Sequence, residues 1–148
     1  TQNMKADIEI PKVENVYIVA INEWSDDFQE NCWNAHLLNA TNETLEMAMI
    51  VSRAYGLING ENRNTMQLRH AFATLAPQTA VKIEFLENSV LQLNNEFSLS
   101  YFIGNKMYDK KFIFKANSIN INAQTATLKN VAGRLSSWLD ELKTRVSV

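Results

Sequence analysis

Residues 96–115 read EFSLSYFIGNKMYDKKFIFK, and this stretch fits two quite different kinds of protein. It contains four lysines and six aromatic rings. Basic residues interleaved with aromatic rings are typical of sheets that bind single-stranded nucleic acid, where the rings stack on bases and the lysines lie along the phosphates. The same residues also fit two antiparallel strands around a tight turn, with the rings in a protein core. The alternation of side chains decides between these hypotheses.

A hairpin in this stretch has a definite register. A two-residue turn at Gly104-Asn105 suits type II′, which takes Gly at its first central position. The turn pairs Ile103 with Lys106, and the pairs beyond it follow from the alternation: Tyr101 with Tyr108, Leu99 with Lys110, and Phe97 with Phe112. One side of the hairpin is then almost entirely apolar, with Phe97, Leu99, Tyr101, Ile103, Tyr108, Phe112 and Phe114. We therefore interpret the stretch as a structural hairpin whose rings are buried and cannot stack on bases.

Lys110 is the exception on this apolar side. A lysine among core residues predicts either a bulge near residues 109–111 or an edge strand, where the ammonium group reaches water.

The chain before the hairpin also has the pattern of short strands separated by Asn, Gly and acidic residues. Residues 16–22 (VYIVAIN) are apolar on both alternating faces, which predicts a strand covered on both sides. An acidic loop is expected at 23–31 (EWSDDFQEN), and a turn at Asn59-Gly60. The other predicted strands are 32–40, 45–54, 63–73 (running into a loop that Pro77 ends) and 79–86. Met and Ala in 45–54 also suit a helix, but the alternation there favours a strand.

The pattern changes near residue 125. Apolar residues now recur at spacings of three and four, which predicts one face of an α-helix. This stripe, the candidate interface, consists of Leu128, Val131, Leu135, Trp138 or Leu139, and Leu142, and it continues to Val146. The helix either packs on its own sheet or pairs with a second copy, and in both cases Trp138 is expected to be largely buried.

These patterns predict a mainly β fold. At 148 residues, 46% of them hydrophobic, the chain is long enough to bury its own core. We expect an antiparallel β-sandwich-like domain of about six to eight strands over residues 1–122, followed by the amphipathic helix over 123–148, which is part of the same unit or a dimerisation element. The alternative fold class is α+β.

Composition also limits location and partners. The start of the chain lacks an apolar signal region and the apolar runs are short, so the sequence predicts a cytoplasmic protein without a membrane contact. A single cysteine, Cys32, excludes an internal disulfide. The net charge of −2 is uneven: residues 1–46 carry −7 and residues 101–148 carry +5. A whole surface that attracts phosphate is therefore not expected.

No catalytic, metal or cofactor motif is found in the sequence. His36 and His70 lack a second Cys or His at zinc-ligand spacing, so both are interpreted as structural residues. Cys32 precedes the apolar Trp33, which is not the surrounding of an activated thiol. No phosphate-binding loop and no nucleophile elbow is formed by the four glycines.

The acidic loop carries a cluster of carboxylates beside aromatic rings. Asp26, Asp27 and Glu30 lie next to Trp24 and Phe28. A cation or a sugar is a conceivable ligand for such a group, but a solvated acidic loop is the ordinary interpretation.

Several phrases of the sequence resemble a family of small, uncharacterised bacterial cytosolic proteins. They are VYIVAINEW, WNAHLLNA, TMQLRHAFATLAP and LNNEFSLSYFIGNKMYDKKFIFKANSI, and the resemblance covers roughly residues 5–121. Some members carry the label phenylalanine–tRNA synthetase alpha subunit. A class II synthetase needs an arginine-bearing ATP motif and a G-x-G-x-x-x-R helix start, and this sequence has neither. The resemblance therefore implies a cytosolic address and a β-rich fold, and no synthetase activity or residue.

The sequence favours a non-catalytic binding or assembly domain that acts through protein contacts, either with a protein partner or with itself. The alternative is an accessory protein associated with tRNA or another RNA. That alternative depends on a small basic group, namely Lys106, Lys110, Lys111, Lys115, Arg63 and Arg69. Only weak nucleic-acid binding is expected from so few cations.

Overall fold

The computed structural model describes residues 11–120 and 146–147, and almost all of its regular elements are strands. They are, in chain order, β1 Val16–Ser25, β2 Glu30–Asn39, β3 Leu45–Ile58, β4 Glu61–Asn64, β5 Leu68–Leu75, β6 Thr79–Leu86, the one-turn helix α1 Asn88–Leu91, β7 Asn94–Ile103, β8 Lys106–Phe114 and β9 Val146–Ser147. Every strand pair in this part of the chain is antiparallel. The prediction of a mainly β, antiparallel fold is confirmed.

The strands form two sheets. Sheet A has the order β6-β2-β1-β9. In sheet B, β3 is central, with β7 and then β8 on one side and with β4 and β5 following one another along its other side. Both sheets contribute side chains to one hydrophobic core, whose largest fully buried members include Tyr101, Phe97, Ile18 and Leu37.

The hairpin of residues 96–115 has the predicted register. Ile103 pairs with Lys106, Tyr101 with Tyr108, and the pairing continues without a shift to Asn95 and Phe114. Gly104 has φ +60°, and Asn105 is not in the positive-φ region, as a type II′ turn requires. Tyr101 and Tyr108 stack with ring centroids 5.1 Å apart, and burial raises the pKa of Tyr101.

Lys110 reaches water because β8 is the edge strand of sheet B. The register of β7 and β8 is unbroken, so of the two predicted explanations the edge strand is right and the bulge is wrong. The ammonium group of Lys110 lies 4.9 Å from the centroid of the Phe112 ring, a cation–π contact at the margin of the core.

The strand at residues 16–22 is covered on both sides, as predicted. Val16, Ile18 and Ala20 belong to the shared core, and Val19 and Ile21, which alternate with them, have no exposed surface either. Residues 45–54 form a strand, the first ten residues of β3, so the choice against a helix is confirmed. A turn lies at Asn59-Gly60, as predicted, and both residues have positive φ, as in a type I′ turn.

Two predicted boundaries are wrong. The acidic loop is only four residues long, because Glu23–Ser25 continue β1 and residues 30–31 begin β2. The two strands are paired as far as Ser25 and Glu30. The predicted strand 63–73 is split into β4 and β5 by residues 65–67. At this break the Thr65 hydroxyl accepts a hydrogen bond from the Ala54 amide (2.8 Å), so a side chain occupies the place of a ladder carbonyl.

The predicted C-terminal helix over 123–148 lies outside the described residues, apart from Val146 and Ser147. These two residues form β9 and pair with Ile21 and Ala20, so a helix does not include them. Within the described ranges, no helix is long and apolar enough to cross a membrane.

Candidate binding sites

The two sheets leave an opening between β3 and β5 of sheet B and β6 of sheet A, which we call the inter-sheet cleft. Its volume is about 590 Å³, and most of its lining surface is apolar. The wall on sheet B is formed by Ser52, Arg53, Ala54 and Asn95, and the wall on sheet A by Glu84 and Phe85. Thr65, Met66 and Leu68 lie at the break between β4 and β5, and Val90 of α1 and Glu87 complete the lining.

A polar cluster lies at the base of this cleft and joins the two sheets. The hydroxyl of Ser52 donates a 2.6 Å hydrogen bond to Oε1 of Glu84. Nε2 of His70 lies 2.8 Å from the same oxygen and donates to it, because an ionised carboxylate only accepts. Ser52 is buried and the Glu84 side chain is 14% exposed. Charge-assisted hydrogen bonds of this kind fix the position of the carboxylate.

A second polar group lies on the outer face of sheet A, where β1 and β2 approach their turn. Oε2 of Glu23 accepts a hydrogen bond of 2.7 Å from Asn34 and lies 2.8 Å from Nε2 of His36. The hydrogen bond to His36 is the main reason why the pKa of Glu23 is held below its ordinary value, and Asn34 and the charge of Lys82 contribute in the same direction. His36 is therefore a structural partner of a carboxylate, in line with its interpretation from sequence.

A cavity of about 430 Å³ extends from this group to the β1–β2 turn. Two side-chain contacts hold this turn: the Trp24 indole donates to Asp26 (3.0 Å), and the ring of Phe28 stacks on Phe85 of β6 with ring centroids 5.1 Å apart. Within the part of the chain that the structure describes, no three His, Cys, Asp or Glu side chains are grouped as a metal site requires. The acidic loop is a solvated turn held by internal hydrogen bonds.

The six basic residues predicted as a binding group are all exposed, but they do not form one surface. Four belong to β8 or directly follow it, whereas Arg63 and Arg69 lie on β4 and β5, at the opposite side of sheet B. Along β8 the side chains alternate, so Lys110 points to the core side and Lys111 to the outer face. Lys111 also lies 3.9 Å from Glu96, which already pairs with Arg53. Lysines on an edge strand have an ordinary structural explanation, because they prevent pairing with other strands.

The outer face of sheet B, opposite the shared core, exposes several large apolar side chains. Met49 is 48% exposed, Phe102 37%, Met107 50% and Ile113 50%. A shallow depression of about 390 Å³ lies beside Met49 and Met107, over Ser98 and Ser100. We call this surface, including Val51, Asp109 and Lys111, the outer face of sheet B. The predicted helical interface (Leu128, Val131, Leu135, Trp138 and Leu142) lies outside the described residues.

Comparison with known proteins adds no family to this description, since neither a protein-family model nor a curated protein matches the chain. The resemblance to small bacterial cytosolic proteins therefore stays a prediction.

Sequence reasoning missed the cluster at the base of the inter-sheet cleft. The alternation in residues 79–86 places Glu84 on the side of Ala80 and Lys82. In the structure the pairing of β2 with β6 shifts at this point, with His36 opposite Lys82 and Ala35 opposite Glu84. Ile83 and Glu84 then both face inward. A bulge of this kind is hard to predict from a single sequence. A single glutamate in an otherwise apolar strand does indicate a position where a buried carboxylate needs a partner.

Proposed function

We propose that this chain is a non-catalytic assembly domain that binds a second copy of itself through the outer face of sheet B. The observation that supports the proposal most is the exposure of Met49, Phe102, Met107 and Ile113 on one sheet face. Large exposed apolar patches mark sites of contact with other molecules. In this proposal the two sheets form a β-sandwich-like body around their shared core, and the outer face of sheet B is free to pack on another sheet.

The central rows of this face are complementary to themselves. Two neighbouring rows cross β3, β7 and β8, namely Met49, Ser100 and Asp109 in the first and Val51, Ser98 and Lys111 in the second. Consider a two-fold axis in the plane of the interface, perpendicular to the strands and midway between the rows. It places the first row of one copy over the second row of the other. Asp109 then meets Lys111 at two symmetric positions, and Met49 meets Val51.

The flanking rows follow the same rule. Phe102 and Met107 share a row with Glu46, and Ile113 shares a row with Glu96 and Arg53. The two-fold axis lays these rows over one another, so Met107 meets Ile113, Glu46 meets Arg53, and the ring of Phe102 lies over Glu96. Except for the pair of Phe102 and Glu96, opposite charges and apolar side chains coincide across the axis, which favours a self-associating surface.

A charge exchange tests the proposal. Asp109→Lys replaces two symmetric attractions by two repulsions, and each exposed ion pair contributes about 0.2–1 kcal/mol. We expect the free energy of dimerisation to weaken by about 1–2 kcal/mol, which is roughly a 5- to 30-fold increase in the dissociation constant. The double variant Asp109→Lys/Lys111→Asp restores the complementarity and should restore association. Sedimentation equilibrium over a range of protein concentrations measures both effects.

The control is Asp27→Lys, the same charge change at an exposed residue of the β1–β2 turn, which should leave the dissociation constant unchanged. A wild-type chain that stays monomeric at every concentration would contradict the proposal. Association that Asp109→Lys does not weaken would assign it to another surface, such as the stripe of Leu128, Leu135 and Trp138. Association that disappears on nuclease treatment would instead support the RNA-associated alternative.

A further inference from the structure

The inter-sheet cleft has the features of a small-molecule site. Ligand cavities in proteins are typically of the order of 300–1,000 Å³, mostly apolar, and contain a few polar groups that fix the orientation of the ligand. The cleft has a volume of about 590 Å³ and apolar walls from Ala54, Met66, Leu68, Phe85 and Val90. Thr65 and Met66, at the break between β4 and β5, also line the cleft.

The two carboxylate oxygens of Glu84, at the base of the cleft, differ in their hydrogen bonding. Oε1 of Glu84 accepts hydrogen bonds from Ser52 and His70. Oε2 makes no hydrogen bond to any residue that the structure describes, although the side chain is only 14% exposed. A partly buried carboxylate oxygen with free lone pairs binds a donor strongly, since such hydrogen bonds are charge-assisted. The ligand should therefore carry a hydrogen-bond donor.

The charges around the cleft indicate whether this donor group of the ligand is cationic, neutral or anionic. Glu84 and Glu87 are both among the lining residues. Arg53 also lines the cleft but is held by Glu96 at 3.1 Å, and His70, which carries a positive charge only when protonated, lies 2.8 Å from Oε1 of Glu84. A cationic head group gains from this arrangement and an anionic one is repelled. We infer that the inter-sheet cleft binds a small amphipathic amine, with its ammonium group on Oε2 of Glu84 and its apolar chain between Ala54, Leu68 and Val90.

Three ligands that differ mainly in their head group test this inference. Octylamine, octanol and octanoate each have eight carbons in a linear chain, so titrations below their micelle-forming concentrations compare a cation, a neutral donor and an anion. Backbone amide chemical shifts of the ¹⁵N-labelled full chain report both the affinity and the location. We expect octylamine to bind at least about tenfold more tightly than octanoate, as one charge-assisted hydrogen bond allows. The shifts should centre on residues 52–54, 65–68 and 84–90.

Glu84→Gln keeps the shape of the side chain and removes its charge. It should abolish the preference for octylamine over octanol, while Glu61→Gln, an equal charge change at an exposed residue of β4, should keep it. If the Glu84 variant does not fold, the comparison of the three ligands on the wild-type chain still decides the matter. Failure of all three ligands to bind, a preference for octanoate, or shifts confined to other surfaces would each overturn the inference. These results can be distinguished from a change of oligomeric state, since the cleft shares only Arg53 with the rows of the outer face of sheet B that form the proposed dimer.

Discussion

Replacing Phe97 by alanine tests which face of β7 is buried in the core. Phe97 lies on β7, is 1% exposed and packs edge-on against Phe114 with ring centroids 5.8 Å apart. Truncation of a fully buried phenylalanine costs about 3–5 kcal/mol, and the aromatic pair is part of that loss. We expect Phe97→Ala to lower the free energy of unfolding by this amount.

The matched control lies on the same strand. Phe102 faces outward and is 37% exposed, so the same substitution there removes less buried surface and should cost only about 1–2 kcal/mol. Urea denaturation followed by far-ultraviolet circular dichroism measures both variants, at protein concentrations low enough for the chain to be monomeric, so that the proposed dimer contacts of Phe102 do not contribute. With a slope of about 1–3 kcal/mol per molar urea, the Phe97 variant should unfold at least about 1 M earlier than wild type.

The result that would refute this assignment is a Phe102 variant destabilised as much as, or more than, the Phe97 variant. The ring of Phe97 would then be on the outside of the sheet, and the nucleic-acid platform would again fit the sequence. If Phe97→Ala leaves too little folded protein to measure, Phe97→Leu gives the same comparison with a smaller loss.

Three further predictions concern other parts of the chain. The lowered pKa of Glu23 means that its ionised form stabilises the fold above the ordinary glutamate pKa of about 4.3, and this contribution is lost as the pH falls through the folded-state value. The stability deficit of Glu23→Gln relative to wild type should therefore shrink in acid when urea melts are compared at several pH values. A deficit that is equal at neutral and acid pH would contradict the prediction. If the predicted helix packs on its own domain, Trp138→Ala should lower the free energy of unfolding by about 3–5 kcal/mol. If the helix instead joins two chains, the variant should lose the dimer in a concentration-dependent way. Unchanged stability in thermal melts and unchanged mass in sedimentation would contradict both alternatives. RNA binding should be weak and should be lost near physiological salt, because few lysines cluster on β8. Fluorescence anisotropy at increasing salt concentration measures this, and tight, salt-resistant binding would contradict the prediction.

The hairpin of β7 and β8 was predictable because every interaction that defines it is local. The turn glycine, the alternation of rings and the pairing of Tyr101 with Tyr108 lie within twenty residues of one another. An edge strand that lets Lys110 reach water was one of the two predicted explanations for this lysine. For such a hairpin the register follows from the turn, and the buried face follows from the register.

The inter-sheet cleft was not predictable by the same reasoning. Ser52 and Glu84 are 32 positions apart and lie in different sheets, and the two are brought together only by the packing of β3 against β6. The bulge that turns Glu84 inward depends on the pairing of β6 with β2, which are also distant in sequence. Contacts of this kind are set by tertiary packing, which a strand pattern does not encode.

The order in which the chain visits the two sheets has a consequence for how the molecule comes apart. After β1 and β2 in sheet A, the chain passes to sheet B, returns to sheet A with β6, crosses again for β7 and β8, and reaches sheet A a last time with β9. Neither sheet is a continuous segment, so neither can unravel while the other stays intact. Protection of amide hydrogens against exchange should therefore be similar in the central strands β2 and β3, with both opening in a single global event.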